Sequence, residues 1–253
     1  MSLNRYAVIS DIHLEYRSKE NVASVLNYLS GQEGDGIFVA GDVCPIVQTE
    51  LFEDFFRALY GFTEVFYVPG NHEYYGTSLS EGEVLIKNSL SKFSNVKAYL
   101  SDSNYLLNYY AIGSSFDLLA TTLWYNPDNP DVYLLQSNLN DFKYISNTIQ
   151  DFTQLSNDIL SRIDREYLNA PYVLLTHHLP YTQCLHPNYR NDRLNCYFVN
   201  DLSKVLSQYP LIVIHGHTHL GKSHYKINNS HSYVICNPQP DKDIELEWFT
   251  LNV

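Results

Sequence analysis

Basic residues are scarce in this chain of 253 residues. It has 16 Lys and Arg against 28 Asp and Glu, which gives a formal net charge of −12 at pH 7. Only 17% of the residues are charged, so the negative charge reflects a shortage of bases more than an excess of acids. Broad binding to duplex nucleic acid depends on a basic surface that displaces counterions. The composition therefore disfavours nucleic acid as a partner, although bound divalent cations would cancel several negative charges locally.

Long hydrophobic runs and paired cysteines are also missing. No apolar stretch approaches the roughly 18–20 residues that cross a bilayer, so no membrane partner is predicted. The polar start at residues 1–6 does not resemble a secretory signal. The four cysteines, Cys44, Cys184, Cys196 and Cys236, are irregularly spaced, which is typical of reduced thiols and not of a disulfide framework. We therefore expect a soluble, acidic protein of the cytoplasm.

The hydrophobic fraction of 45% is ordinary for a globular protein, and the length favours one domain over residues 1–253. Strand-like runs alternate with helical patterns in the first third, which predicts parallel strands joined by βαβ crossovers. Short antiparallel strands are predicted in the middle of the chain. Residues 126–147 are rich in Asn, Asp and Pro and are predicted to form a long inserted loop or lid. The predicted fold class is α/β, with a two-sheet mixed β-sandwich flanked by helices.

The main predicted elements follow from the apolar periodicity of the sequence. Strands are predicted at 6–10, 37–40, 65–68, 118–123, 172–176 and 211–214, and helices at 20–30, 51–60, 148–168 and 201–208.

Five short clusters share one property: each follows a predicted strand and offers oxygen or nitrogen ligands for a metal. In open α/β sheets, ligands bind just beyond the carboxyl ends of the strands. We therefore expect these clusters to meet in space, although they lie far apart in sequence. They are Asp11-Ile12-His13, Gly41-Asp42, Gly70-Asn71-His72-Glu73, Thr176-His177-His178 and Gly216-His217-Thr218-His219.

The spacing within the clusters suits a metal site. On an extended backbone, Asp11 and His13 would point to the same side, and so would His217 and His219. Asp42 follows a strand and a flexible glycine, and its two oxygens could bridge two cations. Mixed His, Asp and Asn ligands suit Mn²⁺, Fe²⁺ or Zn²⁺ better than Ca²⁺. Each cluster alone is also compatible with an ordinary surface pair or turn, but five in order after five strands favour a common site.

The five clusters together resemble the calcineurin-like metallophosphoesterases. The shared pattern is D-x-H, G-D, G-N-H-E, H and G-H-T-H, and it extends over roughly residues 5–240. Thr122-Leu123-Trp124 and Asn237-Pro238 further resemble the bacterial phosphohydrolases of this superfamily. The resemblance implies an αββα sandwich fold.

The resemblance also implies a dinuclear metal site that holds Mn²⁺, Fe²⁺/Fe³⁺ or Zn²⁺. The implied ligands are Asp11, His13 and His219 for one ion, Asn71, His177 and His217 for the other, and Asp42 between them. The implied reaction is in-line attack of a metal-bridging hydroxide on a phosphomonoester or phosphodiester. His72 would remain unligated, stabilise the transition state and protonate the leaving oxygen.

Two positions depart from the pattern or leave it open. Many family members carry an acid three residues after the bridging Asp, which orients the catalytic His, but that position here is Pro45. His72 therefore needs another partner. Glu73 would point away from the site on an extended backbone, so it receives no role.

Substrate contacts are predicted from three residues. The family places its metal ligand first in the fourth cluster, which favours His177, and leaves His178 to line the cleft or to support the ligands. Arg190 and Arg193 are candidate partners for a phosphate oxygen, because a guanidinium binds such oxygens well. The alternative for both arginines is an ordinary solvated position.

The function predicted for the chain is a metal-dependent phosphohydrolase that acts on a small phosphorylated substrate. Two alternatives stay open at this point. One is a nuclease or cyclic-nucleotide phosphodiesterase on the same fold, and the other is a metal-binding scaffold without catalysis. Turnover of a generic phosphate ester separates the scaffold from the enzymes.

Overall fold

Two β-sheets form the centre of the computed structural model, which describes residues 3–100, 108–112, 116–125, 137–165, 172–204, 210–219, 223–227, 230–234 and 244–252. The strands are β1 (Leu3–Ile9), β2 (Gly34–Val39), β3 (Phe62–Tyr67), β4 (Val96–Ala98), β5 (Asn108–Ile112), β6 (Phe116–Thr121), β7 (Tyr172–Thr176), β8 (Ile212–His215), β9 (Ser223–Ile227), β10 (Ser230–Val234) and β11 (Glu247–Asn252). The helices are α1 (Lys19–Ser30), α2 (Thr49–Ala58), α3 (Leu79–Leu90), α4 (Asp141–Tyr144) and α5 (Ile149–Arg165).

The first sheet has the order β11-β1-β2-β3-β4. Its strands β1 to β4 are parallel, and β11 pairs with β1 in the antiparallel direction. Ile9 pairs with Val39, and Val39 pairs with Tyr67. The carboxyl ends of β1, β2 and β3 are therefore level, so the segments that follow them begin side by side.

The second sheet has the order β5-β6-β7-β8-β10-β9. Strands β6, β7, β8 and β10 are parallel, whereas β5 and β9 pair in the antiparallel direction at the two edges. The antiparallel pair β5–β6 agrees with the prediction for the middle of the chain. Leu175 pairs with Ile214, so β7 and β8 also end at nearly the same level.

The two sheets pack face to face through side chains that alternate along each strand. Val8 and Phe38 of the first sheet share one apolar cluster with Val173 and Leu175 of the second. Their sequence neighbours, such as Ile9, face the other way and belong to the larger cluster that includes the helices. Central parallel strands are buried on both faces, which is why they appear in the sequence as continuous apolar runs. The predicted fold class, a two-sheet α/β sandwich flanked by helices, is confirmed.

The structure contains one helix that was not predicted and describes two other predicted segments only in part. Helix α3 has no counterpart among the predicted elements. The helix predicted at 201–208 begins as a 3₁₀ turn at Leu202–Lys204, and residues 205–209 lie outside the described part of the chain. Residues 126–136 of the predicted lid also lie outside it, but residues 137–147 include the ordered helix α4. Asp141 of this helix is buried, so this half of the segment is part of the packed domain.

The remaining predictions concern thiols and membrane segments. Cys44 is a buried free thiol, Cys184 is also buried, Cys196 is partly buried, and Cys236 lies outside the described residues. Within the residues that the structure describes, no helix combines the length and apolar character needed to cross a bilayer.

Candidate metal centre

The segments that follow β1, β2, β3, β7 and β8 meet at one edge of the sandwich. Backbone hydrogen bonds join them: the amide of Asp11 donates to the carbonyl of Gly41, and the amide of Gly216 donates to the carbonyl of His177. Across the two sheets, the His177 ring donates from Nδ1 to the Ala40 carbonyl at 2.8 Å. All five clusters found in the sequence are therefore brought together, as strand-end geometry predicts.

Five of the predicted metal ligands have a left-handed backbone, with φ between 46° and 72°. They are Asp11, His13, Asp42, His217 and His219. The expectation of extended Asp-x-His and His-x-His pairs is wrong, because each segment turns sharply after its strand and does not continue it. Residues other than glycine adopt this conformation at a cost of about 1–3 kcal/mol each, and such strain concentrates at functional sites. Here the turns direct the side chains of separate loops toward one another.

The first group of potential ligands consists of Asp11, His13, Asp42 and His219, whose ligand atoms all lie within 4.8 Å of one another. His13 Nε2 lies 3.0 Å from His219 Nε2, and His219 Nε2 lies 3.3 Å from Asp11 Oδ1. A carboxylate with two imidazole nitrogens at these separations can surround one small cation.

The second group consists of Asp42, His177 and His217. Asn71 joins it, because its Oδ1 lies 3.1 Å from His177 Nε2. Asp42 belongs to both groups: its Oδ2 lies 3.7 Å from His13 Nε2 and 3.4 Å from His177 Nε2. The two groups divide the seven predicted ligands in the way that the resemblance implies, with Asp42 between them.

Glycines allow the loops to approach this closely. A Cβ atom on Gly70 would overlap Asp42 Oδ1, and one on Gly216 would lie 2.5 Å from Asp11 Oδ2. A side chain at either position would therefore push a carboxylate out of its place.

The electrostatics of the site stabilise two buried carboxylates in their ionised form. Burial alone would raise the pKa of Asp11, but a hydrogen bond and the charge of His219 outweigh it and hold the pKa below its usual value. The pKa of Asp42 is also below its usual value. Burial raises this pKa, but the charges of His177, His72 and His13 outweigh the effect of burial. The histidine-rich surroundings thus favour carboxylates that are ready to bind a cation.

Two further observations show that the oxygen and nitrogen atoms of this site suit divalent metal ions. Asp11 Oδ2 is buried, and among the described residues no hydrogen-bond donor reaches it. His13 and His177 use Nδ1 for hydrogen bonds, to Glu15 Oε1 and to the Ala40 carbonyl, which leaves Nε2 of each ring as the lone-pair nitrogen facing the cluster. Metal-binding histidines in proteins are oriented in this way by a carboxylate or a carbonyl behind the ring.

The sequence pattern of the calcineurin-like phosphoesterases matches residues 5–221, which is most of the chain. The chain belongs to this family. The family is metal-dependent and its members hydrolyse phosphoester bonds, and the two ligand groups are a candidate site for its metals.

The chain also has relatives in sequence and similar solved structures. The chain is 29% identical over 249 residues to the uncharacterized protein L509 of Acanthamoeba polyphaga mimivirus, a match that covers 87% of this chain and 85% of that protein. It resembles the phosphopantetheinyl hydrolase of Mycobacterium tuberculosis with a TM-score of 0.63 and 15% identity, over 92% of this chain and 89% of that one. A dimetal phosphatase from Danio rerio matches with a TM-score of 0.55 and 14% identity, over 91% and 86% of the two chains. At these identities the two solved structures show the fold alone.

Glu15 is the hydrogen-bond partner of His72, a role that Pro45 cannot fill. The same carboxylate oxygen, Oε1, accepts from His72 Nδ1 at 2.8 Å and from His13 Nδ1 at 3.2 Å. Glu15 is nearly buried, with 6% of its side chain exposed, so this contact is shielded from water. Glu15 lies in the 3₁₀ turn Leu14–Tyr16, and no sequence pattern identified its role.

His72 lines the cleft in front of the ligand groups, together with Asp42, Asn71 and His217. Its backbone amide donates to Asp42 Oδ1 at 3.0 Å, which fixes the start of the turn. Burial lowers the pKa of His72, but the charges of Asp42 and Glu15 outweigh burial and raise the pKa to about 9. Because Nδ1 of His72 is hydrogen-bonded to Glu15, Nε2 is the ring nitrogen that remains available in the cleft.

Asn71 is oriented by Asp141, a residue of the segment predicted as a lid. The Asn71 amide nitrogen donates to Asp141 Oδ1 at 2.7 Å and to the Tyr75 hydroxyl at 3.1 Å. The hydroxyls of Tyr75 and Tyr125 also donate to Asp141, at 2.8 and 2.9 Å. Both amide hydrogens of Asn71 are therefore used on the far side, and its oxygen faces His177. No sequence pattern identified Asp141.

Glu73 does not point away from the site, because residues His72–Tyr74 form a 3₁₀ turn and not an extended strand. It is fully buried, and its carboxylate accepts from the backbone amides of Asp42, Val43 and Gly70 at 2.8–3.0 Å. Burial, followed by the nearby charge of Asp42, raises its pKa to about 8. Glu73 thus holds the β2 and β3 loops together.

The three predicted substrate contacts lie away from the cleft. His178 has no exposed surface, bonds to the Thr122 carbonyl at 3.1 Å and packs behind His217 with 4.4 Å between ring centres. It is therefore a buried support for a ligand and not a group that can touch a substrate. Arg190 and Arg193 are exposed, and neither is among the described residues that line the cleft. Their long side chains are placed at the surface by two short 3₁₀ turns.

Proposed function

We propose that this protein is a phosphohydrolase that uses two divalent cations to cleave small phosphomonoesters or phosphodiesters. One observation carries the proposal: Asp42 Oδ2 lies between His13 Nε2 and His177 Nε2, so a single carboxylate links two separate ligand groups. When bound there, two divalent cations supply Lewis acidity toward the phosphoryl oxygens and make water a better nucleophile.

The ligands keep the charge of the site low enough for this chemistry. Asp11 and Asp42 are the two carboxylates among the seven proposed ligands, and the others are neutral imidazoles and the amide of Asn71. Two carboxylates neutralise only half of the charge of two divalent ions. The remaining positive charge is available to bind a phosphate group and to balance negative charge that develops on its oxygens.

His72 is the proposed catalytic acid. It lines the cleft but lies outside both ligand groups, and Glu15 holds its Nδ1 so that Nε2 can deliver a proton. A protonated imidazole there would donate to the leaving oxygen as the bond to phosphorus breaks. Glu15 is the positioning residue in this arrangement, because it acts on the substrate only through His72.

Hydrolysis of p-nitrophenyl phosphate and bis-p-nitrophenyl phosphate, with Mn²⁺ and with a chelator, tests the proposal. We expect Mn²⁺-dependent turnover that the chelator abolishes, and the ratio of the two rates reports monoester or diester preference. Asp42→Asn should lose both activity and bound metal, because it removes the charge shared by the two groups. On phenyl phosphate, whose leaving oxygen needs a proton, His72→Ala should lower kcat by about 10²–10⁴-fold while metal content is retained.

Asp54→Asn is the matched control for Asp42→Asn, because Asp54 is an exposed residue of α2 paired with Arg57. It should leave activity and metal content unchanged. Absence of turnover by the wild-type protein at every metal concentration would contradict the function. Full activity of His72→Ala would contradict only the role given to His72.

A further inference from the structure

A cavity of about 230 Å³ lies beside the cleft that contains the ligand groups. Its apolar wall is formed by Leu185, Tyr189, Leu194 and Phe198. These residues come from the segment that follows β7, which folds into consecutive 3₁₀ turns at Thr182–Cys184, Pro187–Tyr189 and Arg193–Tyr197. The segment has no assigned role in the chemistry described above.

The cavity and the cleft share two residues. Phe198 and Thr218 line both spaces, and the ring of Phe198 lies 4.7 Å from the ring of His217. The two spaces therefore adjoin, and a phosphoester held by its phosphate at the ligand groups would place its organic group next to the cavity. Continuity with the metal centre identifies the occupant as part of the substrate.

His186, Asp192, Asn195 and Thr218 also line the cavity, and the side chains of Asp192 and Asn195 hydrogen-bond to the backbone. Asp192 Oδ1 accepts from the Leu194 amide at 2.8 Å, and the Asn195 amide group donates to the Tyr189 carbonyl at 2.7 Å. Among the described residues that line the cavity, none is Lys or Arg. Asp192 would repel a second anionic group, so the wall favours a neutral occupant.

The volume is sufficient for about one ring system. An apolar cavity of about 150 Å³ is enough to hold benzene. A space of 230 Å³ thus accommodates an aromatic ring with small substituents.

We propose that this cavity is the specificity site for the organic group of the substrate, and that the preferred substrates are phosphoesters of neutral, aromatic-ring-sized alcohols. The inference rests on the proposed phosphohydrolase function. It adds a binding site and a substrate class to that function.

Binding of non-hydrolysable phosphonates to the Mn²⁺-loaded protein tests the cavity without relying on turnover. Calorimetric titration would compare phenylphosphonate, methylphosphonate and (4-carboxyphenyl)phosphonate. Phenylphosphonate should bind at least about tenfold more tightly than methylphosphonate, because its ring is removed from water. The added carboxylate of (4-carboxyphenyl)phosphonate should remove most of this gain in affinity, because Asp192 in the cavity wall would repel it.

Two variants connect the preference to the cavity wall. Leu194→Asn replaces an apolar side chain by a polar one of similar size, and Tyr189→Ala removes a side chain that is 59% exposed, so it should not affect folding. Both should reduce the phenyl-to-methyl affinity ratio to less than about threefold, because each takes apolar contact area from the ring. Leu85→Asn is the matched control, because Leu85 is an exposed leucine of α3 that does not line the cavity.

The outcomes separate the two proposals. A phenyl-to-methyl ratio near one in the wild-type protein, or a ratio unchanged in both cavity variants, would overturn the specificity site. A large ratio that falls in both variants supports it, even if no phosphate ester is hydrolysed. In that last case the hydrolase function fails while the cavity assignment stands. If the protein hydrolyses phosphate esters but its phenyl-to-methyl affinity ratio is near one, the hydrolase function stands and the cavity assignment fails.

Discussion

Glu15 links the chemistry of His72 to the packing of the first loop. Its Oε1 accepts hydrogen bonds from both His72 and His13, so one carboxylate fixes the ring orientation of the proposed acid and of a proposed ligand. Carboxylates behind functional histidines typically contribute about 10–100-fold to activity or metal affinity.

Glu15→Gln should therefore lower kcat about 10–100-fold with little change in KM, since the substrate does not touch this residue. The loss should be larger for phenyl phosphate than for p-nitrophenyl phosphate, because p-nitrophenolate leaves with less need of a proton. Steady-state kinetics on the two esters measures this difference, with Glu50→Gln on the exposed start of α2 as the control. An equal loss on both esters would show that Glu15 does not act through proton donation by His72.

The proposed ligands occur in short motifs that the sequence shows, whereas the residues that orient them do not. Asp42 and Asn71 stand beside glycines directly after strands, so their place at the sheet edge follows from the topology. Asp141 reaches Asn71 from α4, 70 positions away in the chain, and one acid in an Asp- and Asn-rich segment gives no signal. Glu73 was assigned to an extended backbone, and only the 3₁₀ turn shows where its carboxylate lies.

At the scale of the elements, α3 shows why apolar periodicity can miss a helix. Its buried positions include Gly82, Glu83 and Ser89, whereas Val84 and Leu85 are exposed. Only some of the apolar residues, such as Ile86 and Leu90, lie on the packed face. Gly82 packs against Tyr74, and a Cβ there would lie 2.6 Å from the Tyr74 ring, so this position depends on a close approach that only glycine allows.

A capping box provides the start of α3. Ser78 Oγ accepts from the Glu81 amide at 3.2 Å, and Glu81 Oε2 accepts from the Ser78 amide at 3.1 Å. This pairing satisfies backbone donors at the first turn that would otherwise have no partner in the helix. The signature Ser-x-x-Glu is visible in the sequence and is the local signal that could have identified the helix.

Ser78→Ala should lower the free energy of unfolding by about 1 kcal/mol, because it removes the cap while the helix keeps its packing. Urea unfolding measures this as a lower midpoint with an unchanged slope. Ser30→Ala, at the exposed end of α1, should change the free energy of unfolding by less than about 0.5 kcal/mol. Equal effects of the two substitutions would mean that the capping box does not stabilise α3.

At the scale of the whole molecule, the candidate metal centre is where the two sheets are joined. The His177 ring donates to the Ala40 carbonyl, and the His217 amide donates to Asp11 Oδ1 at 2.8 Å, so each sheet supplies contacts to loops of the other. The fold class could be predicted from the alternation of strands and helices. The meeting of the loops at one edge of the sheets follows from the same topology. The directions of their side chains could not be predicted, because they depend on left-handed turns at five residues for which the sequence favours other conformations.

The central claim is that these loops form one hydrolytic centre that binds two ions. The most direct measurement is a titration of the chelator-stripped protein with Mn²⁺, in which bound metal and hydrolysis of p-nitrophenyl phosphate are recorded on the same samples. The account predicts that stripped protein is inactive and that activity rises with bound metal and saturates at about two ions per chain. Full activity in the stripped protein, or no binding of Mn²⁺ at any concentration, would contradict it.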